Sequence, residues 1–347
     1  MRFYNKQHKY YCGIDLHTKK MYVCILNSNG ETVAHRNLRT DSNAFLEFIA
    51  PYRENIVVAA ECMFTWYWVA DLCAREGIPF VLGHALYMKA IHGGKSKNDK
   101  IDSQKIALLL RGGMLAQAYV YPAKMRATRD LLRRRNHLVR KRAELYAHIQ
   151  NTRNQYNLPD PLGNLGRSKN REGVAKRFDD PSVRKNMEVD LEMIEAYNRI
   201  IVPLEREIVK SAYGHNALGY NLLQTIPGVG KILALVMVYE IETIDRFETV
   251  EDFASYCRLV KCSKESNGKN YGSSGKKIGN AHLKWAFSEA SVTFIKGNEP
   301  GKQYLDRLAQ KHRKEKALSI LAHKLGRAAY YMLKNKVAFD QDKFLSH

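Results

Sequence analysis

No apolar run in this 347-residue sequence approaches the roughly 20 residues that cross a bilayer, and the mean hydropathy is −0.43, so a soluble chain is expected. Its six cysteines, Cys12, Cys24, Cys62, Cys73, Cys257 and Cys262, include no C-x-x-C pair, which argues against zinc. Several lie in apolar, strand-like runs and read as reduced, buried thiols of a cytoplasmic protein. The polar, basic start from Met1 to Lys9 has no apolar stretch behind it of the kind a secretion signal needs. Acid is the scarce sign of charge: 35 Asp and Glu stand against 56 Lys and Arg, a formal net charge of +21. That excess favours a polyanionic partner, because neutralised phosphates release their counterions. Nucleic acid is the expected partner and a membrane is not. Hydrophobic residues make up 45% of the chain, enough for two or three cores.

From Tyr10 to Thr40 the runs YYCGID, MYVCILN and TVAHRNLRT, separated by a polar HTKK turn and an SNG turn, predict an antiparallel meander. A helix over 42–52, a buried strand NIVVAAE, a helix WYWVADLCAREG and a strand IPFVLG follow. Strands alternating with helices after a meander imply an α/β domain with a mixed sheet, spanning 1–122. The remainder is expected to be all-α. Between Ala123 and Gln155 there are ten Lys/Arg and two acids, with Leu131, Leu138 and Leu145 every seven residues. Met187, Ile194, Ile201 and Ile208 repeat that interval. Two long amphipathic helices over 123–215 are expected to form a coiled-coil hairpin, with intramolecular packing and self-association weighed equally. The Pro/Gly/Asn/Arg-rich segment from Asn157 to Pro181 reads as its turn or as a mobile loop, and Pro203 predicts a kink. Arg133, Arg134 and Arg135 are taken as a DNA- or RNA-binding face. A helical domain over 216–347 completes the chain.

The acids are placed more pointedly than their number suggests. Asp15 closes the first strand and Glu61 closes NIVVAAE; both are costly at the ends of core strands unless a cation lies between them. Asp99 and Asp102, three apart at a helix start, share one face. Singly, each would serve as a cap or a partner for the helix dipole. As a set, the four suit two divalent ions about 3.5 to 4 Å apart, the arrangement of phosphoryl transfer, and oxygen-only ligation fits Mg2+. The order of strands and helix resembles the RNase H-like fold used by RuvC-type resolvases and many transposases.

Near the other end, Ile226-Pro-Gly-Val-Gly-Lys231 sits between helical flanks. It is similar to a helix-hairpin-helix turn, in which Gly228, Gly230 and Lys231 would meet a DNA phosphate; the plainer reading is a linker between two helices. The stretch Cys262 to Gly279 is crowded with Gly, Ser, Lys and Asn and reads either as a solvated loop or as a loop offering a hydroxyl nucleophile and cations to a scissile phosphate.

Asp15 in YYCGIDLHTKK, Glu61 in VVAAECM, Asp99 and Asp102 in KNDKIDSQKIA, the IPGVG turn, the KESNGK run around Ser266 and GNAHLKWAF from Gly279 together resemble the DEDD-type serine transposases of bacterial insertion sequences, relatives of the Piv DNA invertase. The resemblance covers nearly the whole chain. It implies a RuvC-like domain carrying the four acids as metal ligands and catalytic groups, a coiled coil, and a C-terminal transposase domain. Further implications are Ser266 as the nucleophile of a covalent protein-DNA intermediate, target and donor DNA as substrates, a structured bridge RNA as guide, and a homo-oligomer, dimer or tetramer, in a nucleoid-associated protein. The usual glutamine-serine-glycine context is absent: Glu265 precedes Ser266 and Asn267 follows, which leaves Ser273 and Ser274 as rivals. Lys264 and Lys269 flank Ser266 as candidate phosphate ligands. Two other functions remain open at this point: a RuvC-like nuclease that hydrolyses DNA without a covalent intermediate, and a non-catalytic nucleic-acid-binding protein.

Overall fold

A computed structural model describes residues 2–91, 98–158, 163–261, 265–272 and 278–346. The chain divides into two compact units, Met1–Ala123 and Lys124–His347. The first is built on a mixed sheet and the second is predominantly helical.

In the first unit, β1 (Tyr10–Leu16), β2 (Lys20–Asn27) and β3 (Thr32–Arg39) form the antiparallel meander. Helix α1 (Ser42–Ile49) starts on Asp41, whose carboxylate accepts the Asn43 and Ala44 N–H groups; it tightens to a 3-10 turn over Ala50–Asn55, where Pro51 enters. Strand β4 (Ile56–Glu61), α2 (Tyr67–Arg75), β5 (Phe80–Gly83), α3 (Ala85–Ile91) and α4 (Asp99–Arg111) follow. The strand order is β3-β2-β1-β4-β5, with β4 parallel to both β1 and β5.

Side chains alternate across the sheet. Cys12, Ile14 and Leu16 of β1 and Ile56, Val58 and Ala60 of β4 pack with Phe45, Ile49, Val69 and Leu72 of α1 and α2. Tyr11, Val57, Ala59 and Val81 pack on the opposite face with Ile106, Leu109 and Leu110 of α4. Period two therefore puts Gly13, Asp15 and Glu61 on the α4 face. At Gly13 a Cβ would fall 2.3 Å from the Ser103 carbonyl oxygen and 2.4 Å from the Ala107 nitrogen, so only glycine lets α4 lie this close to β1.

The second unit starts with α5 (Ala123–Gln155) and α6 (Pro181–Gln224). Arg135 bonds Glu205, Arg142 bonds Asn198 and His148 bonds Asp190, a register that runs the two helices antiparallel as a hairpin. The described part of the turn between them is folded: Leu165, Val174, Ala175 and Phe178 join Ile149, Met187 and Ile194 in one buried cluster. Met187, Ile194, Ile201 and Ile208 are all buried within a single chain, so the seven-residue stripe serves intramolecular packing. At Pro203 the backbone dihedrals stay helical. The only non-helical backbone inside α6 is at Asn216 (φ −159°, ψ 70°), whose side chain accepts the Gly219 N–H and restarts the helix. Helix α7 (Lys231–Ile241) is buried continuously from Ala234 to Ile241 and shares one hydrophobic core with α8 (Val250–Tyr256), α9 (Ala281–Phe294), α10 (Glu299–Lys311), α11 (Lys314–Asn335) and α12 (Gln341–Leu345). Between α8 and α9 lies a two-residue ribbon, β6 (Glu265–Ser266) against β7 (Lys269–Asn270).

Candidate metal centre and nucleic-acid interface

The acids of the first unit are placed by β1, β4 and the first turn of α4. Ile14 pairs with Ala60 in the parallel β1/β4 register, so the next residues, Asp15 and Glu61, are neighbours on the α4 face. Asn98 caps α4 by accepting the Ile101 N–H, which sets Asp99 and Asp102 in the first turn, where the helix dipole favours negative charge. Asp15, His17 and Asp99 each offer a ligand atom, and these atoms lie within 4.8 Å of one another. The His17 Nε2 is 3.4 Å from Asp15 Oδ2 and 3.6 Å from Asp99 Oδ1. Asp102 faces Lys105, with 3.9 Å between Oδ1 and Nζ. Glu61 is half-buried and adjoins the group through the strand register alone.

Burial is the main cause that raises the Asp15 pKa, and the charges of Asp99 and Asp102 raise it further; His17 opposes them. The Asp15 side chain is only 16% exposed. A carboxylate in that position gains from any cation brought to it. His17, read from the sequence as part of a polar turn, was the residue missed. Its signal was the D-x-H spacing at a strand end, which turns both side chains to one face.

The second unit holds a contrasting cluster. Glu240, buried in the last turn of α7, accepts from Arg129 Nε and Nη2 at 3.1 and 2.9 Å, from Arg133 Nε at 2.7 Å and from Asn280 Nδ2 at 2.7 Å. Although burial opposes it, the two guanidinium groups and the Asn280 amide lower its pKa to about 2. Asn280 also caps α9 through the His282 and Leu283 N–H groups. These pairings bear on Arg133, Arg134 and Arg135, expected to form one nucleic-acid face. Arg133 is committed to Glu240 and Arg135 to Glu205, which leaves Arg134 as the exposed member.

At the α6–α7 turn Gly228 has φ +80°, and a Cβ there would fall 2.4 Å from the Thr293 carbonyl carbon. The glycine is thus required by close packing on the end of α9. Gly230 opens α7 with open space around its Cα, and Lys231 is exposed. Lys269 is exposed on β7; Ser266 lies on β6, with its side chain outside the described residues, as are Lys264, Ser273 and Ser274.

A family model of DEDD-type transposases of the IS110 group matches residues 12–157, and a model described as the transposase IS116/IS110/IS902 family matches residues 220–306. These matches support the transposase part of the resemblance, and not the serine chemistry or the relation to the Piv invertase. No curated protein matches the chain.

Proposed function

From a chain that carries IS110-family transposase domains, and hence an enzyme that cleaves and recombines DNA, we propose that the carboxylates of the first unit are its cutting site. Asp15, Glu61, Asp99 and Asp102 would hold divalent metal, Mg2+ above all, with His17 beside them. The observation that carries this is the gathering of Asp15, His17 and Asp99 on the α4 face, where burial and two like charges make Asp15 favour a cation. Metal bound there would withdraw charge from the scissile phosphate and stabilise the oxygens on which charge develops. The RNase H-like assignment of this unit rests on the same strand order and the same acids.

The chain's own groups would do the rest. The Ser266 hydroxyl forms the bond to phosphorus while the deoxyribose oxygen leaves and takes up a proton, which conserves a phosphodiester for rejoining. Lys264 and Lys269 would neutralise the phosphate, and the α7 N-terminus at Gly230 and Lys231, with the turn at Gly228, would hold the DNA backbone. Arg134 adds a phosphate contact from α5. The three-part division at 122 and 215, assembly of copies as a dimer or tetramer, and guidance by a bridge RNA belong to this reading as implications of the resemblance.

A denaturing gel of end-labelled element DNA with Mg2+ and any structured RNA encoded beside the gene tests it. Wild type should leave a protein-linked strand, Asp15→Ala and Asp102→Ala should leave no cut, and Ser266→Ala should leave no adduct. Free ends with no adduct, cut equally by Ser266→Ala, would replace the serine step by hydrolysis. An adduct lost only in Ser273→Ala or Ser274→Ala would move the nucleophile along the loop.

A further inference from the structure

Glu61 is followed by three exposed residues, Cys62, Met63 and Phe64. Met63 is 49% exposed and Phe64 79%, the most exposed of the large hydrophobic side chains among the described residues. Single exposed apolar residues are common and need no partner. Two features set this pair apart. The first is position: Phe64 is three residues beyond Glu61, so their Cα atoms are at most about 11 Å apart.

The second is rigidity. The Cys62 N–H donates to the Gly83 carbonyl at 2.9 Å, and the Met63 N–H to the Glu61 carbonyl at 2.8 Å. The Thr65 hydroxyl donates to the Leu16 carbonyl at 3.2 Å, tying the far side of the loop to the residue after Asp15. Trp66 is buried with Ala70 and Leu82 and meets the Tyr67 ring edge-on at 4.6 Å. The loop is thus pinned at both ends beside the carboxylates, with an aromatic ring held out in water between the pins.

We propose that Met63 and Phe64 form an apolar wedge that stacks on a DNA base next to the phosphate bound at the carboxylates. This rests on the reading of that site as the place of DNA cutting. A base has an apolar face of ring size whatever its identity, and aromatic stacking on bases is tolerant of sequence. Wedges of Phe and Met also unstack neighbouring base pairs in bent duplexes, which would open the strand at the site of reaction. A pinned loop loses little conformational freedom on binding, so the contact keeps most of its gain.

The experiment uses the full-length protein with Ca2+ in place of Mg2+, a cation that oxygen ligands hold, so that the phosphate is bound while cutting is suppressed, and a mixed-sequence 20-nucleotide single strand or duplex carrying 2-aminopurine at its centre. Wild type should change the 2-aminopurine emission on binding. Phe64→Ala should bind the single strand about ten-fold more weakly, lose the emission change and keep the slope of affinity against salt. Phe64→Trp should restore affinity to near wild type. Equal affinity and emission in Phe64→Ala and wild type would overturn the wedge, as would a Phe64→Ala effect confined to oligomeric state on gel filtration. Asp15→Asn run beside them separates the two ideas: its cleavage with Mg2+ reports on the carboxylate site, while the Phe64 variants report on the base contact when nothing is cut.

Discussion

The two units treat a carboxylate in opposite ways. Glu240 is almost wholly buried, yet two guanidinium groups and an amide of its own chain satisfy it, and its pKa falls to about 2. Asp15 is less buried, yet burial, with the charges of Asp99 and Asp102 added to it, raises its pKa against the pull of His17. Glu240 ties α5, α7 and the start of α9 together and leaves its charge no capacity for a ligand. Asp15 is left with a deficit of positive charge that only an outside cation or a proton can fill. A chain with a net charge of +21 does not lack cations to place beside Asp15. What separates a structural acid from a candidate functional one here is whether the chain supplies its counter-charge.

The largest expected effect tests the functional half of that contrast. Asp15→Asn should lower the cleavage rate on the order of a thousandfold while leaving the thermal midpoint unchanged or slightly raised. A variant that cut at the wild-type rate, or unfolded, would place Asp15 with Glu240 as a structural acid. Next comes Glu240→Ala, which strands two guanidinium groups and should cost about 3–5 kcal/mol in a denaturant titration. A loss below about 1 kcal/mol would break the comparison from the other side.

Acid should separate the two sites with opposite signs. Glu240 has a depressed folded pKa, so its contribution is complete above the ordinary value of 4.5 and is lost as pH falls toward 2, about 3 kcal/mol in all. Asp15 has a raised folded pKa, so its penalty is complete above that value and fades as pH falls through it. Denaturant titrations across pH 2–7 should therefore show a shallower acid slope than wild type in Glu240→Gln, and no such flattening in Asp15→Asn. The smallest effect contrasts neighbours on α5: Arg134→Glu should weaken DNA binding a few-fold and flatten its salt slope, with stability within about 0.5 kcal/mol. Arg133→Glu should unfold the Glu240 cluster instead; equal stability of the two variants would contradict the division between them.

Much of the first unit was legible because its strands obey period two and its turns carry their usual residues. Asp15 and Glu61 could be placed at strand ends, and Asp99 and Asp102 on a shared first turn, by counting alone. That the same alternation puts Gly13, Asp15 and Glu61 under α4 depends on which face α4 covers, a tertiary fact with only a lone strand glycine to hint at it. His17 was lost to the polar look of HTKK. In the second unit the seven-residue stripes announced long helices, but not whether a stripe would meet its own chain or another; the buried Met187, Ile194, Ile201 and Ile208 answer for one chain. Pro203 predicts a kink because proline lacks an N–H, but the residue whose backbone leaves the helical region is Asn216, able to cap a new turn. Glu240 went unnoticed as one acid in the apolar run of α7, and its partners Arg129 and Arg133, four apart on α5, looked like surface charge. Charge composition marks a basic protein but does not say which cations are already taken.

The most direct test of the contrast is a calorimetric titration of Mn2+, as a surrogate for Mg2+, into metal-free wild type, Asp15→Asn and Glu240→Gln, with each shown to be folded by circular dichroism. The account predicts saturable binding by wild type and by Glu240→Gln, and none by Asp15→Asn. Equal binding by wild type and Asp15→Asn would contradict it, because the acids on the α4 face would then have no cation to recruit.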